Sequence, residues 1–269
     1  MPAAKPRGHV RIGVVTDIHC GPDMDTRLGT QASVQLDLFC EAMRVFRPDI
    51  IVDLGDRIND TDPGRDRERT VWTRSMLRRV GVPVLHLLGN HDVVNLPKAE
   101  LVALLDKRGP SEYLDWGGLR LILLDSQDPM FDGVGGTVGM EQIAWLRRAV
   151  TDSPGPCMVF CHHPLDEQEV ASHWFFGARP HLAHAVNRAG VRSVLEECGR
   201  VRAVLNGHMH WTRRTTISGI PYVTLGSLVD CALTDGRPAG THAEVVVADT
   251  AVSVRVHGAR PAAFDFPAR

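Results

Sequence analysis

Short apolar runs recur along the chain, and most of them stop abruptly at a polar cluster. Residues 10–16 end in Asp17-Ile18-His19, and residues 49–54 end in Gly55-Asp56. Residues 82–88 end in Gly89-Asn90-His91-Asp92, and residues 119–124 in Asp125-Ser126. Residues 157–161 end in His162-His163-Pro164, and residues 201–205 in Asn206-Gly207-His208-Met209-His210. Runs of this length bounded by Gly, Pro or Asp read as buried strands. The segments between them predict helices over 30–46, 67–79, 97–107, 141–150 and 180–198. In the first, Val34, Leu38, Ala42 and Val45 recur at spacings of four, four and three, the spacing of one helix face. Pro97 suits a first helical position. The charged stretch up to Asp66 and residues 165–179 read as irregular.

The last third changes character. Residues 215–217 and 221–225 flank Ser218-Gly219-Ile220, and residues 243–248 and 252–256 flank Asp249-Thr250-Ala251. Both read as hairpins, the first with Gly219 in its turn. The pattern predicts an α/β (α+β) fold of two packed β-sheets flanked by helices. The β-meander at about 212–258 is assigned to the same domain, 1–269, because it holds too few strands for a core of its own.

Composition narrows the classes. Hydrophobic residues make up 43% and charged residues 23%, with a formal charge of -2, an ordinary balance for a globular domain. Arginines are interleaved with acids, as in Gly64-Arg65-Asp66-Arg67-Glu68-Arg69, so nucleic acid and membrane surfaces are not the expected partners. Residues 1–9 lack the apolar core of a secretory signal, no run suits a membrane span, and the expected location is the cytoplasm. The six cysteines show no CxxC pair, which reads as free thiols. The sequence leaves oligomeric state open, a homo-oligomer included.

The strand-end residues carry the chemistry. Asp17, His19, Asp56, Asn90, His91, His162, His208 and His210 combine imidazole, carboxylate and amide oxygen, the donor mix of Mn, Fe, Zn or Co. Seven ligands exceed one tetrahedral ion, whereas two ions sharing a carboxylate would use them all. Two divalent ions against Asp17, Asp56 and a bridging hydroxide leave about one positive charge, which suits a phosphate ester. Two metals roughly 3.5–4 Å apart can activate water and hold a phosphoryl group for in-line attack. His9, His86, His173, His181, His184, His242 and His257 lack this context and read as structural.

At these residues the sequence resembles the calcineurin-like metallophosphoesterases. The family pattern of Asp-x-His, Gly-Asp, Gly-Asn-His-Asp/Glu, His and Gly-His-x-His appears in order as Asp17-Ile18-His19, Gly55-Asp56, Gly89-Asn90-His91-Asp92, His162 and Gly207-His208-Met209-His210. The resemblance implies a helix-flanked β-sandwich and a pair of divalent or trivalent metal ions. Asp17, His19 and His210 would hold one ion, Asn90, His162 and His208 the other, with Asp56 bridging. His91 would protonate the leaving oxygen, and Asp92 would orient its imidazole. Spacing does not choose between His162 and His163; the resemblance selects His162. Arg57 departs from the apolar or aromatic residue expected there, and either touches a substrate phosphate or pairs with an acid. Asp53 needs a partner within its strand, and Asp125 reads as structural.

The chain lacks the Gly-Asp-Tyr-Val-Asp-Arg-Gly block of protein serine/threonine phosphatases. Its Gly-Asn-His-Asp and His-His-Pro forms look like the bacterial cyclic-nucleotide and glycerophosphodiester phosphodiesterases. Its C-terminal part is loosely similar to manganese-dependent ADP-ribose/CDP-alcohol diphosphatases. Residues 171–179 are either a substrate cap or core packing. As a cap, Trp174, Phe175 and Phe176 would stack on a base or aryl group and Arg179 would meet a phosphate. The expected function is a dinuclear-metal phosphodiesterase of small organic or nucleotide phosphates. The alternatives are a phosphomonoesterase and a catalytically silent protein-binding scaffold.

Overall fold

The computed structural model describes residues 8–267; the leader reading of residues 1–9 falls mostly outside them. In chain order the elements are β1 (His9–Val15), α1 (Ala32–Phe46), β2 (Ile50–Asp53), α2 (Pro63–Arg78), β3 (Val84–His86), α3 (Lys98–Leu104), β4 (Glu112–Trp116) and β5 (Leu119–Leu124). There follow α4 (Met140–Thr151), β6 (Cys157–Cys161), α5 (Arg188–Cys198), β7 (Val201–Asn206), β8 (Arg213–Ile217), β9 (Ile220–Thr224), β10 (His242–Ala248), β11 (Ala251–His257) and β12 (Ala262–Pro267). The strands form two six-stranded sheets, ordered β12-β11-β10-β1-β2-β3 and β4-β5-β6-β7-β9-β8. Among the described residues no helix is long and apolar enough to cross a membrane.

Alternation along the strands explains the layering, since successive side chains point to opposite faces. Ile12, Val14, Ile50 and Val52 face Leu121, Leu123, Phe160 and Leu205 between the sheets. The other faces take helices. Val15 and Ile51 pack on Leu36, Phe39, Cys40 and Met43 of α1, and Ile122, Val159 and Val204 on Leu146 of α4 and Val194 of α5. Strands covered on both sides have to be apolar at nearly every position, which is why β2, β5 and β6 are legible as runs.

Several expectations need correction. Helix α1 forms, but it turns the other stripe inward: Leu36, Phe39, Cys40, Met43 and Phe46 are buried, while Val34 and Leu38 are each 53% exposed and Val45 84%. The buried stripe carries the two aromatic rings and Met43, which fill the space over the sheet better than valines do. Helix α2 starts at Pro63, before the predicted position, because Asp62 accepts from Gly64 N and Arg65 N, both at 3.0 Å, as an N-cap does. Residues 180–182 form only a 3-10 turn, and α5 begins at Arg188. Asn187 is held across the chain there, donating through Nδ2 to Val138 O at 2.6 Å. Strands β4 and β12 were not expected. They are edge strands with alternating exposure, so neither shows a long apolar run. The C-terminal meander is divided: β8 and β9 join one sheet, and β10 to β12 extend the other from β1. The β8–β9 turn is Ser218-Gly219, both at positive φ (48° and 76°), the two-residue geometry that suits a twisted hairpin.

Candidate metal centre

The site lies where β1, β2, β3, β6 and β7 end at their carboxyl edges. Sheet edges of this kind are where open α/β sheets gather ligands. The loops there are held in unusual conformations. Asp17, His19, Asp56, His208 and His210 all have positive φ, between 45° and 71°. Non-glycine residues in this region cost free energy and persist where the surroundings enforce them. Two glycines let the loops close. A Cβ on Gly89 would come within 2.1 Å of Asp56 Oδ1, and one on Gly207 within 2.1 Å of Thr16 Oγ1. This is the steric reason for the glycine in Gly-Asn-His-Asp and in Gly-His-x-His.

The predicted ligands converge. His210 Nε2 lies 3.3 Å from Asp17 Oδ1 and 3.0 Å from His19 Nε2. His162 Nε2 lies 3.3 Å from Asp56 Oδ2, and His208 Nδ1 is 3.1 Å from Asn90 Oδ1. Two sets of donor atoms, Asp17/His19/His210 and Asp56/His162/His208, each lie within 4.8 Å of one another, and a third, His19/Asp56/His91, links them. Away from the centre, ring nitrogens are tied back to the protein. His162 Nδ1 donates to Leu54 O (2.9 Å), His208 Nε2 to Leu182 O (3.1 Å) and His210 Nδ1 to Asp230 Oδ2 (2.8 Å). Each of these rings therefore presents a lone pair inward, the arrangement of metal-binding histidines. Facing inward, Asp17 Oδ1 and His162 Nε2 are buried without a hydrogen-bond partner. Acceptors in that state are costly, and a cation between them removes the cost, so the residues fit a metal pair.

Electrostatics agree. Burial pushes the His19 imidazole down, to about 4. Burial also lowers His210 and His162, but Asp17 and Asp230 carry His210 up to about 10, and Asp56 carries His162 up to about 9. Burial opposes ionisation of Asp17 and Asp56, yet the neighbouring histidines hold both well below the usual carboxylate range. A centre that draws protons onto two imidazoles is rich in negative charge, and metal binding displaces protons from such ligands.

The neighbouring residues divide differently from expectation. His91 pairs through Nδ1 with Asp60, not Asp92, and Arg27 Nη1 lies 2.7 Å from its Nε2. Asp92 instead accepts from Asp56 N (2.9 Å), Arg57 N (3.1 Å) and Gly89 N (2.8 Å), so it shapes the loops and does not orient His91. Arg57 is fully buried, and its Nε and Nη2 donate to Asp53 Oδ2 at 3.0 and 2.9 Å. Pairing with acids is its role here, and contact with substrate is ruled out by burial. His163 sits 2.8 Å from both Ser126 Oγ and Val134 O, engaged away from the centre. Asp125 accepts from Lys98 Nζ at 2.5 Å.

A cavity of about 310 Å³ opens over the centre, lined by Arg27, Asp56, Asn90, His91, His208 and His210 together with Val134, His173, Trp174, Phe175 and Phe176. The aromatic segment is split between the two expected roles. Trp174 and Phe175 are 39% and 37% exposed, whereas Phe176 is 4% exposed and packs with Leu182, Met209 and Trp211. Arg179 lies over the Phe175 ring at 4.7 Å and does not line the cavity. Sequence reasoning missed Asp60, Asp230 and Arg27. Asp60 sits four residues beyond Asp56, a spacing that offered a weak signal; the other two carry none.

Comparison with known proteins then decides the family. The model of the calcineurin-like phosphoesterases matches residues 10–212. The chain belongs to that family. These phosphoesterases are metal-dependent hydrolases of phosphoric esters, and both phosphodiesterases and phosphatases occur among the relatives of this one. It is 30% identical over 182 residues to a cAMP/cGMP dual specificity phosphodiesterase of Mycobacterium tuberculosis (strain CDC 1551 / Oshkosh), covering 65% of this chain and 53% of that protein. It is 29% identical over 226 residues to the serine/threonine-protein phosphatase CPPED1 of Danio rerio, covering 79% of this chain and 62% of that protein. The phosphoesterase thus spans between about half and two thirds of these two relatives. A dimetal phosphatase from Danio rerio has the same fold, with a TM-score of 0.77 at 16% identity over 97% of this chain and 99% of that one.

Proposed function

We propose that this phosphoesterase is a dinuclear-metal phosphodiesterase of small organic or nucleotide phosphates, built as one domain in which β10 to β12 continue the sheet of β1. The observation that carries the reading is the convergence of seven donors at one centre, with Asp17 Oδ1 and His162 Nε2 buried there without a hydrogen-bond partner. Asp17, His19 and His210 would hold one ion, Asn90, His162 and His208 the other, and Asp56 both. A nitrogen- and oxygen-donor set suits Mn, Fe, Zn or Co. When bound, such a pair supplies water activation and neutralises phosphoryl charge.

The chain's own residues do the rest. Asp230, Leu54 and Leu182 fix the imidazole orientations. Asp56 Oδ1 accepts from His91 N at 2.8 Å, which ties the His91 loop to the bridging carboxylate. His91 faces the cavity beside the ligands, its ring 5.0 Å from that of His19, close enough to meet a leaving oxygen and supply a proton. Trp174, Phe175 and Val134 give the cavity an apolar wall, which suits a base or aryl group and favours an organic diester. A second reading, phosphomonoesterase, is favoured by Arg27, which adds positive charge facing the centre and would suit a dianion. The complete donor set argues against a silent scaffold.

The test is reconstitution. Metal-free protein loaded with manganese, zinc, iron or cobalt should bind two ions per chain by elemental analysis and cleave bis-p-nitrophenyl phosphate faster than p-nitrophenyl phosphate. A monoester preference would move the assignment to phosphatase. Failure to take up metal would overturn both readings.

A further inference from the structure

A second cavity, of about 400 Å³, adjoins the one over the metal centre, and Trp174 and His210 line both. Its wall draws on both sheets: Arg213 opens β8, and Arg260 lies between β11 and β12. The Arg260 loop is tied down. Ala259 N donates to Ala239 O (2.8 Å), and Ala239 N donates to Asp230 O (3.0 Å). The Arg213 guanidinium lies over the Trp211 ring at 4.6 Å, a contact that orients a cation without neutralising it. Neither Arg213 nor Arg260 has a carboxylate partner among the described residues. They differ in this from Arg67, Arg79, Arg147 and Arg255, which each meet an acid. The one acid in the cavity wall, Asp230, is already occupied. Its Oδ2 accepts from Thr26 Oγ1 (2.6 Å) and holds His210 Nδ1 (2.8 Å), and its Oδ1 accepts from Ala232 N (2.8 Å). Thr241 lines the same cavity at 6% exposure, and its hydroxyl has no hydrogen-bond partner among the described residues. Two guanidiniums without acids and an unengaged hydroxyl leave this wall short of negative charge.

From this wall we infer that the second cavity is a subsite for a distal phosphate: the preferred substrate is a phosphodiester whose organic arm carries a phosphate monoester, held by Arg213, Arg260 and Thr241 while the diester lies over the metal centre. The inference rests on the phosphodiesterase reading above and narrows its substrate class. A phosphate monoester brings close to two negative charges near neutral pH, which matches two guanidiniums better than a carboxylate does. The planar fork of an arginine meets two phosphate oxygens at once, and Thr241 adds a hydroxyl donor. Trp174 is the wall the two cavities share, 39% exposed and stacked on His173 at 4.0 Å. The arm that joins the two phosphates therefore passes an aromatic ring, which suits a nucleoside. The distal group is remote from the bond that breaks. It is bound alike in the ground state and the transition state, so its contribution belongs in KM and leaves kcat nearly unchanged.

The experiment compares the 5′-(p-nitrophenyl) esters of thymidine 5′-phosphate and of thymidine 3′,5′-bisphosphate. They share base, sugar, scissile bond and leaving group and differ in the distal 3′-phosphate. Metal-loaded wild type is set beside Arg213→Ala, Arg260→Ala, the double variant and Arg213→Lys. Wild type should release p-nitrophenol from the bisphosphate ester with a kcat/KM about 10- to 100-fold higher, through KM, the share of charge-assisted hydrogen bonds. Each alanine variant should lose part of that ratio, the double variant should bring it close to one, and Arg213→Lys should keep part of what Arg213→Ala loses. Calorimetry gives a readout independent of turnover: thymidine 3′,5′-bisphosphate should bind wild type at least about tenfold more tightly than thymidine 5′-phosphate, a margin the double variant loses. Equal kcat/KM for the two esters in wild type, a gain carried by kcat, or a preference that survives in the double variant would overturn the inference and leave the phosphodiesterase reading standing. If wild type with two bound ions cleaves neither ester, the phosphodiesterase reading falls. The binding margin then decides the subsite by itself, and a margin absent or indifferent to the two arginines would end it too.

Discussion

Two buried clusters of charge meet at the loops after β2 and β3, and they behave in opposite ways. In one, Arg57 lies between Asp53 and Asp92, with Nη2 2.9 Å from the first and Nη1 3.1 Å from the second. His86 Nδ1 is 2.9 Å from the same Asp53 oxygen, and Asp92 collects three backbone N–H groups. In the other, Asp17 and Asp56 face imidazoles that have already turned a nitrogen outward to Asp230, Leu54 or Leu182. Burial alone does not separate the two, since Asp17, Asp53, Asp56 and Asp92 are all at 0–1% exposure. Partner chemistry does. The first cluster sets donors against acceptors: Arg57 faces two carboxylates, and only its Nη1, 3.1 Å from Asp92 Oδ2, is without a well-formed hydrogen bond. The second sets carboxylates against imidazoles that either hold a proton between them or, once it is displaced, present only acceptors, which fits a cation. A buried polar network is tolerable only when its members are satisfied, so the direction of the outer hydrogen bonds distinguishes a structural cluster from a site.

Substitutions should break the two clusters in different currencies, beginning with the largest effect. Asp56→Asn should abolish uptake of both ions, measured by elemental analysis, and reduce hydrolysis to background. A variant holding two ions at full rate would refute a bridging Asp56. Arg57→Met should instead cost about 3–5 kcal/mol of unfolding free energy, the penalty for stranding buried carboxylates. The fraction that remains folded should still bind metal. If Arg57→Met loses activity at unchanged stability, the cluster is not structural. The two aspartates near His91 sharpen the contrast further. Asp92→Ala should act on stability, through the loop N–H groups it caps. Asp60→Ala should slow cleavage of an alkyl diester by about tenfold, a part of the roughly 10²–10⁴ that a positioned proton donor contributes, with no change in the unfolding midpoint. The reverse pattern would return the orienting role to Asp92.

The strand-ending motifs made the centre readable from sequence because steric and chemical demands coincide there. Gly89 and Gly207 are needed for loop closure, and the Asp and His beside them are the candidate donors. Strands buried on both faces, β5 and β6, were legible for the same reason: no position was free to be polar. Legibility failed where two solutions satisfied one pattern. Helix α1 carries two apolar stripes, and only packing chose Leu36, Phe39 and Met43 over Val34 and Leu38. Arg57 could have paired with an acid or a phosphate, and the neighbouring Asp92 is assigned to it by tertiary geometry alone. Arg27, Asp60 and Asp230 reach the site through contacts 64, 31 and 20 residues away in sequence, and no local spacing encodes such contacts.

The smallest effect concerns pH. Burial by itself would raise the Asp53 carboxyl, but Arg57 first, and then His86 and the N–H of Gly55, hold it down at about 2 from its ordinary value of 3.8. A carboxylate depressed in the folded state stabilises the protein above the unfolded value and loses that contribution as pH falls through the folded one. Asp53 should therefore supply about 2 kcal/mol that is intact above about pH 4 and disappears towards about pH 2. His86 is lowered from 6.5 by burial. As an imidazole depressed in the folded state it weakens the protein in the same direction, beginning at higher pH, so the comparison belongs below about pH 4. Metal-free protein removes the linkage between protons and ions at Asp17 and Asp56. Under those conditions the urea midpoint of wild type should fall more steeply between about pH 4 and pH 2 than that of Asp53→Asn, whose own midpoint starts lower because Arg57 has lost a partner. Parallel acid limbs for the two proteins would mean that Asp53 titrates alike folded and unfolded. The Arg57 cluster would then be no better balanced than the one that fits a cation.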